Sequence, residues 1–108
     1  MAAPYDKDAY KPLDTFAFEQ ITVAGTSIGF TAATHAGPTT GGPAILATVN
    51  VEGAQVRYRL DATNPSATVG ALFNDGDELL VWATMDIDSI QFIRTGGVSA
   101  TLNVHYAR

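Results

Sequence analysis

Apolar and polar residues alternate with a period of two along most of this chain, the pattern of strands that bury one face. In the first such stretch Phe16, Phe18 and Gln20 point one way and Ala17, Glu19 and Ile21 the other. A second short strand is predicted over Thr26 to Thr31. The run His35-Ala36-Gly37-Pro38-Thr39-Thr40-Gly41-Gly42-Pro43 is a loop, because its glycines and prolines break regular structure. It is longer than a hairpin needs, as in loops that cross between sheets or make a contact.

The second half alternates more clearly. Ile45, Ala47, Val49 and Val51 face away from Leu46, Thr48 and Asn50. Val56, Tyr58 and Leu60 face away from Gln55, Arg57 and Arg59, and Glu52-Gly53 between the two runs predicts a hairpin turn. Asp61 to Ser66 and Asn74-Asp75-Gly76-Asp77 supply turn formers. Glu78 to Ala83 is apolar on both sides, which predicts a central strand. Asp86-Ile87-Asp88 is a connection, Ser89 to Arg94 a strand, and Thr95-Gly96-Gly97 a turn. The last strand sets Ala100, Leu102, Val104 and Tyr106 against Thr101, Asn103 and His105. No long stretch carries the i, i+3, i+4, i+7 spacing of an amphipathic helix.

These elements predict an all-β fold: a two-sheet antiparallel β-sandwich of jelly-roll or immunoglobulin-like type, with about seven or eight strands. The sandwich is expected over residues 15–108 and an extended N-terminal arm over residues 1–14. The arm has no period and contains Pro4 and Pro12; a frayed terminus is the alternative reading. Tyr5, Tyr10 and Leu13 are what an arm would use to dock on a neighbour.

Composition narrows the function classes. The 108 residues suit one domain. Only 16% are charged, against about 25% in typical soluble domains, as expected of a surface largely covered by neighbours or of a small thermostable monomer. Net charge is −5 with only 6 Lys and Arg, which argues against nucleic acid and anionic membranes. The chain has no cysteine, so disulfides and thiolate chemistry are excluded. No apolar run approaches the ~20 residues that span a bilayer. The N-terminal residues do not read as a secretory signal, and Asn64-Pro65-Ser66 is not a glycosylation acceptor. Synthesis is expected in a cytosol, with export by lysis or as part of a particle.

Candidate chemistry is thin. His35 and His105 are the only histidines, and no Gly-x-Ser-x-Gly elbow accompanies them, so neither a hydrolase triad nor a zinc site is expected. Asp75, Asp77 and Glu78 flank one end of a strand and Asp86 and Asp88 the other; calcium would need them to converge, and solvated turns are the expectation. Paired carboxylates for glycoside hydrolysis cannot be singled out among 11 acidic residues. No catalytic residue, metal or cofactor is therefore expected. Arg57 and Arg59 share a face, with Arg94 a candidate third member of an anion or partner patch, or else they cover apolar surface. Trp82 and Tyr106 are a candidate sugar-stacking platform, with core or interface the preferred reading for Trp82.

A resemblance adds to this reading. Gln55-Val56-Arg57-Tyr58-Arg59-Leu60-Asp61, Pro65, Gly70, Gly76-Asp77, Ile90-Gln91-Phe92-Ile93-Arg94 and Ala100-Thr101-Leu102-Asn103-Val104-His105-Tyr106 resemble small structural proteins of tailed bacteriophages. The resemblance covers about half the chain. It implies a virion component of the head-decoration or minor-capsid type, located on the capsid surface, and it transfers no catalytic residue. The expected partners are the major capsid protein and further copies of the chain, a trimer on a local threefold axis being preferred. Contacts are expected from Tyr5, Tyr10 and Leu13 of the arm, from His35, Pro38 and Pro43 of the loop, and from Arg57 and Arg59. A glycan-binding or adhesion module on a tail fibre or cell surface is the alternative.

Overall fold

The computed structural model describes residues 13–37 and 41–108. In chain order the elements are β1 (Thr15–Val23), α1 (Ala32–His35), β2 (Leu46–Glu52), β3 (Val56–Arg59), β4 (Ala71–Phe73), β5 (Glu78–Trp82), α2 (Thr84–Ser89), β6 (Gln91–Arg94) and β7 (Ala100–Ala107). The strands form two antiparallel sheets, a four-stranded one ordered β1-β7-β2-β5 and a three-stranded one ordered β4-β3-β6. Each strand turns one side chain in two inward. Val49, Val51, Val81, Leu102, Val104 and Tyr106 of the larger sheet share one core with Val56, Phe73 and Phe92 of the smaller. Phe92 is wholly buried among Phe30, Tyr58 and Phe73, with ring centroids 5.5, 6.1 and 6.5 Å away.

The pairing follows one rule. The first strand pairs with the last, β2 with β5, and β3 with β4. The segment around Ile28 pairs with β6, through reciprocal bonds between Ile28 and Phe92 (2.9 and 2.8 Å) and a bond from Arg94 N to Ala24 O (3.1 Å). The strand expected over Thr26 to Thr31 is therefore reduced to one bridge.

Three other expectations are corrected. The runs on either side of Glu52-Gly53 are not a hairpin: β2 and β3 lie in different sheets. Alternation specifies which face of a strand is buried, and either sheet satisfies it. Gly53, at φ +95°, turns the chain across the sandwich, and its N–H is held by Asp75 Oδ1 at 3.0 Å. β5 is an edge strand and not a central one. The connection at 86–88 lies in α2, which buries Ile87; its six residues are too few to show helical periodicity. Finally β4, only three residues long, escapes any pattern of alternation.

Asp14, assigned from sequence to the arm, continues the β1–β7 ladder through bonds in both directions with Arg108 (3.1 Å each). Leu13 beside it is half-buried. Tyr5, Tyr10 and Pro38 lie outside the described residues.

Candidate interaction surface

The registers of the larger sheet place distant residues in rows on its outer face. Phe18, His105, Thr48 and Leu80 form one row across all four strands. Ala107, Leu46 and Trp82 form the next row toward the end where β1 begins. On the other side run Gln20, Asn103, Asn50 and Glu78, the first three bonded side chain to side chain: Gln20 Nε2 to Asn103 Oδ1 (2.7 Å) and Asn103 Nδ2 to Asn50 Oδ1 (3.1 Å). The face is thus divided into a polar half, where Gln20, Asn103 and Asn50 bond one another, and a half where Phe18, Leu80 and Trp82 are half-exposed, with His105 and Thr48 between Phe18 and Leu80.

The exposure of that second half is large. Phe18 is 50% exposed, Leu80 50% and Trp82 54%, and Met85, three residues beyond Trp82, is 79% exposed. Single exposed apolar residues are ordinary, whereas several on one face mark an interaction site. The two rows hold no Asp, Glu, Lys or Arg. His105 covers part of Phe18, with ring centroids 4.7 Å apart.

The chain leaves this face through a strained corner. Ala83 sits at φ 79°, ψ 138°, a conformation that costs a residue with a Cβ about 1–3 kcal/mol. It is held there by its N–H bond to Ile45 O (2.8 Å) and by Thr84 Oγ1, which donates to Ala44 O (3.1 Å). The corner ends β5 at Trp82 and starts α2 at Thr84, so the exposed Trp82 and Met85 lie on either side of it.

The residues singled out from sequence fall elsewhere. His35 is only 5% exposed; its ring packs 5.9 Å from that of Tyr106 and 3.5 Å from Asp88 Oδ1, so it is not available as a surface contact. Pro43 is exposed. Arg57 and Arg59 do share the outer face of the smaller sheet, but both guanidinium groups have internal partners. Arg57 donates to Ala67 O (3.1 Å) and Gly70 O (2.7 Å) and so pins the 61–70 loop. A side chain at Gly70 (φ +139°) would approach Tyr58 O to 3.0 Å, which is why the loop can close on β3. Arg59 grips Asp61 in a two-pronged pair (3.0 and 2.6 Å), and that hydrogen bonding holds the Asp61 carboxyl below its usual range. Arg94 is not the third member of this group: it lies opposite Val56 in the register and therefore on the other face, with its guanidinium on Ser99 Oγ (3.1 Å).

Trp82 and Tyr106 do not form a platform, since Trp82 points outward and Tyr106 is wholly buried. Two of the turn carboxylates bond backbone: Asp75 accepts from Gly53, and Asp77 Oδ2 from Asn74 N (3.0 Å). Among the described residues no group of three His, Asp or Glu side chains is placed to hold a metal ion. Phe18, Leu80 and Met85 were not foreseen as surface residues. The one usable signal was the double-sided apolar character of 78–83, which fits a strand covered by another protein as well as one covered by its own fold.

Comparison with protein-family models, with curated proteins and with solved structures finds no match to this chain.

Proposed function

We propose that this chain is a non-catalytic structural protein of a bacteriophage particle, a head decoration protein that binds the outside of the capsid and opposes separation of its subunits. The observation that carries the reading is the half of the outer sheet face that holds no Asp, Glu, Lys or Arg, with Phe18, Leu80 and Trp82 half-exposed on it. The resemblance of the chain's second half to small phage structural proteins supplies the particle.

The strand order supports a jelly roll over an immunoglobulin-like sandwich. With the Ile28 segment counted as the second strand, every strand pairs with the one that mirrors it about the middle of the chain. One long antiparallel hairpin wrapped into two sheets has this pairing. Jelly rolls serve in viral capsids and in lectins, so the fold accommodates both the decoration reading and its alternative. The half-exposed Trp82 keeps the glycan-binding reading in play.

Attachment is measured by co-sedimentation of the purified protein with phage heads that lack it. Wild type is expected to pellet with the heads. Phe18→Asp, which puts a charge at a half-exposed position without opening the core, is expected to weaken attachment roughly thirtyfold, the scale of an interface hot spot. Its melting temperature should stay near that of wild type. Unchanged attachment of this variant would remove the outer face from the interface. Retention on a glycan array, lost in Trp82→Ala, would favour the adhesion reading.

A further inference from the structure

Asp75 is the one aspartate of the chain that precedes a glycine, and no asparagine does. The order matters chemically. The amide nitrogen that follows an aspartate can attack the carboxyl carbon of its side chain, and a Cβ on the following residue hinders that approach, whereas glycine leaves it open. Asp75 and Gly76 are both exposed to water. Gly76 sits at φ +90° and Asp77 N donates to Asn74 O (2.8 Å), so Asn74 to Asp77 form a type II turn with glycine where a positive φ is required.

The fold engages both reacting groups elsewhere. Gly76 N donates to Val51 O (2.8 Å), and Asp75 Oδ1 accepts from Gly53 N (3.0 Å). The nitrogen and the carboxyl group must each leave a partner before they can bond to one another. Two further bonds tie the turn to the same stretch: Val51 N to Asp77 O (3.2 Å) and Gln55 Nε2 to Asn74 Oδ1 (2.7 Å). Residues 53–55 carry the chain from β2 in the larger sheet to β3 in the smaller, so the turn also holds this crossing in place.

We propose that Asp75 is a site of spontaneous isoaspartate formation, and that opening of the 74–77 turn sets its rate. In the open turn Gly76 N attacks Asp75 Cγ, the nitrogen loses its proton, and one carboxyl oxygen departs as water. A succinimide ring results. Water then adds to one of the two ring carbonyls. Addition at Cγ breaks its new bond to nitrogen and restores aspartate. Addition at the main-chain carbonyl breaks its bond to Gly76 N and frees a carboxylate there, so that the chain now runs through Cγ. Loss and gain of water leave the mass unchanged. The main chain is one carbon longer, and the carboxyl group that accepted from Gly53 has become a main-chain amide. The modified turn no longer fits its partners at Val51, Gly53 and Gln55, and the crossing between the sheets loosens.

A reaction confined to a locally opened state follows the open fraction when reclosing is fast. The test therefore compares the folded full chain with the chain in guanidinium chloride, both at neutral pH. Isoaspartate at position 75 is measured by peptide separation and fragment-ion mass spectrometry, and opening by hydrogen exchange at the Gly76 amide. Isoaspartate is expected to form at least tenfold faster in the unfolded chain than in the folded one. Gln55→Ala removes a tie between the turn and the crossing without altering either reacting group. When folded, this variant should exchange its Gly76 amide faster and form isoaspartate faster by the same factor; when unfolded, it should react as wild type does. A folded protein that reacts as fast as the unfolded chain, an unfolded chain that forms no isoaspartate at position 75, or a Gln55→Ala protein whose isoaspartate does not follow exchange would each overturn the proposal. None of these outcomes bears on capsid attachment, which is read at Phe18.

Discussion

Phe92→Ala is expected to cost about 3–5 kcal/mol of stability, the range for removing a large aromatic side chain from a core. Phe92 is wholly buried, and its strand is where the smaller sheet meets the bridge at Ile28. Its ring is shared by Phe30 from the first third of the chain, Tyr58 from β3 and Phe73 from β4. Losing it leaves a cavity where these three rings converge, and the cost grows with the part of that cavity the neighbours do not fill. Domains of this size have only about 5–15 kcal/mol in total, so the variant should lie near the edge of folding at room temperature. Urea unfolding of wild type and variant measures the difference; a loss under about 1 kcal/mol would mean that these rings do not share one packed centre.

The second large effect concerns Tyr106. This residue is wholly buried, and its hydroxyl donates to the Glu19 carboxylate, which also receives the N–H and hydroxyl of Thr31. Tyr106→Phe removes a hydrogen bond to a carboxylate and should cost about 1–3 kcal/mol at neutral pH. The network also sets an alkaline limit. Burial, and then the bond to Glu19, push the Tyr106 hydroxyl well above its ordinary pKa. Above about pH 10 the unfolded chain releases this proton while the folded chain keeps it. The unfolded state then binds fewer protons, so stability falls as pH rises, by about 1.4 kcal/mol per pH unit for this group. Tyr106→Phe lacks that contribution. Its stability should therefore start lower at neutral pH and decline less steeply above pH 10, so that the two curves converge. Parallel curves across the alkaline range would contradict the buried-hydroxyl account.

Both effects involve positions whose burial was legible in the chain. The alternation of Ala100, Leu102, Val104 and Tyr106 against Thr101, Asn103 and His105 gives the inner and outer faces of β7 as the structure has them. Ile90 and Phe92 are both buried, as the alternation over Ser89 to Arg94 predicts, although Ser89 ends α2, Ile90 caps it and the strand begins at Gln91. What alternation does not encode is the partner of a strand. Val49 and Val56 each declare a buried face, but only the registers with β5, β7, β4 and β6 assign them to different sheets. Leu80 and Trp82 look like core residues for the same reason: an apolar side chain has the same letter whether its own fold or another protein covers it. The surface joining Phe18 to Leu80 is assembled by three strand pairings between segments far apart in sequence, and no local motif records it. The arginines of the 55–61 stretch stood out by charge, yet Arg57 and Arg59 are engaged with a loop and a carboxylate that sequence spacing alone does not connect to them.

The distribution of exposed apolar residues ties the fold to the proposed function. Under the proposed function modest contacts are repeated over many copies, and Phe18, Leu80 and Trp82, half-exposed on one sheet face, are suited to such contacts.

The most direct measurement is electron cryo-microscopy of phage heads decorated with this chain, at a resolution that shows side chains. Ordered copies at regular lattice positions, with Phe18 and Trp82 against the capsid, are the predicted result. Heads without the chain, or copies that turn this face to solvent, would contradict the account.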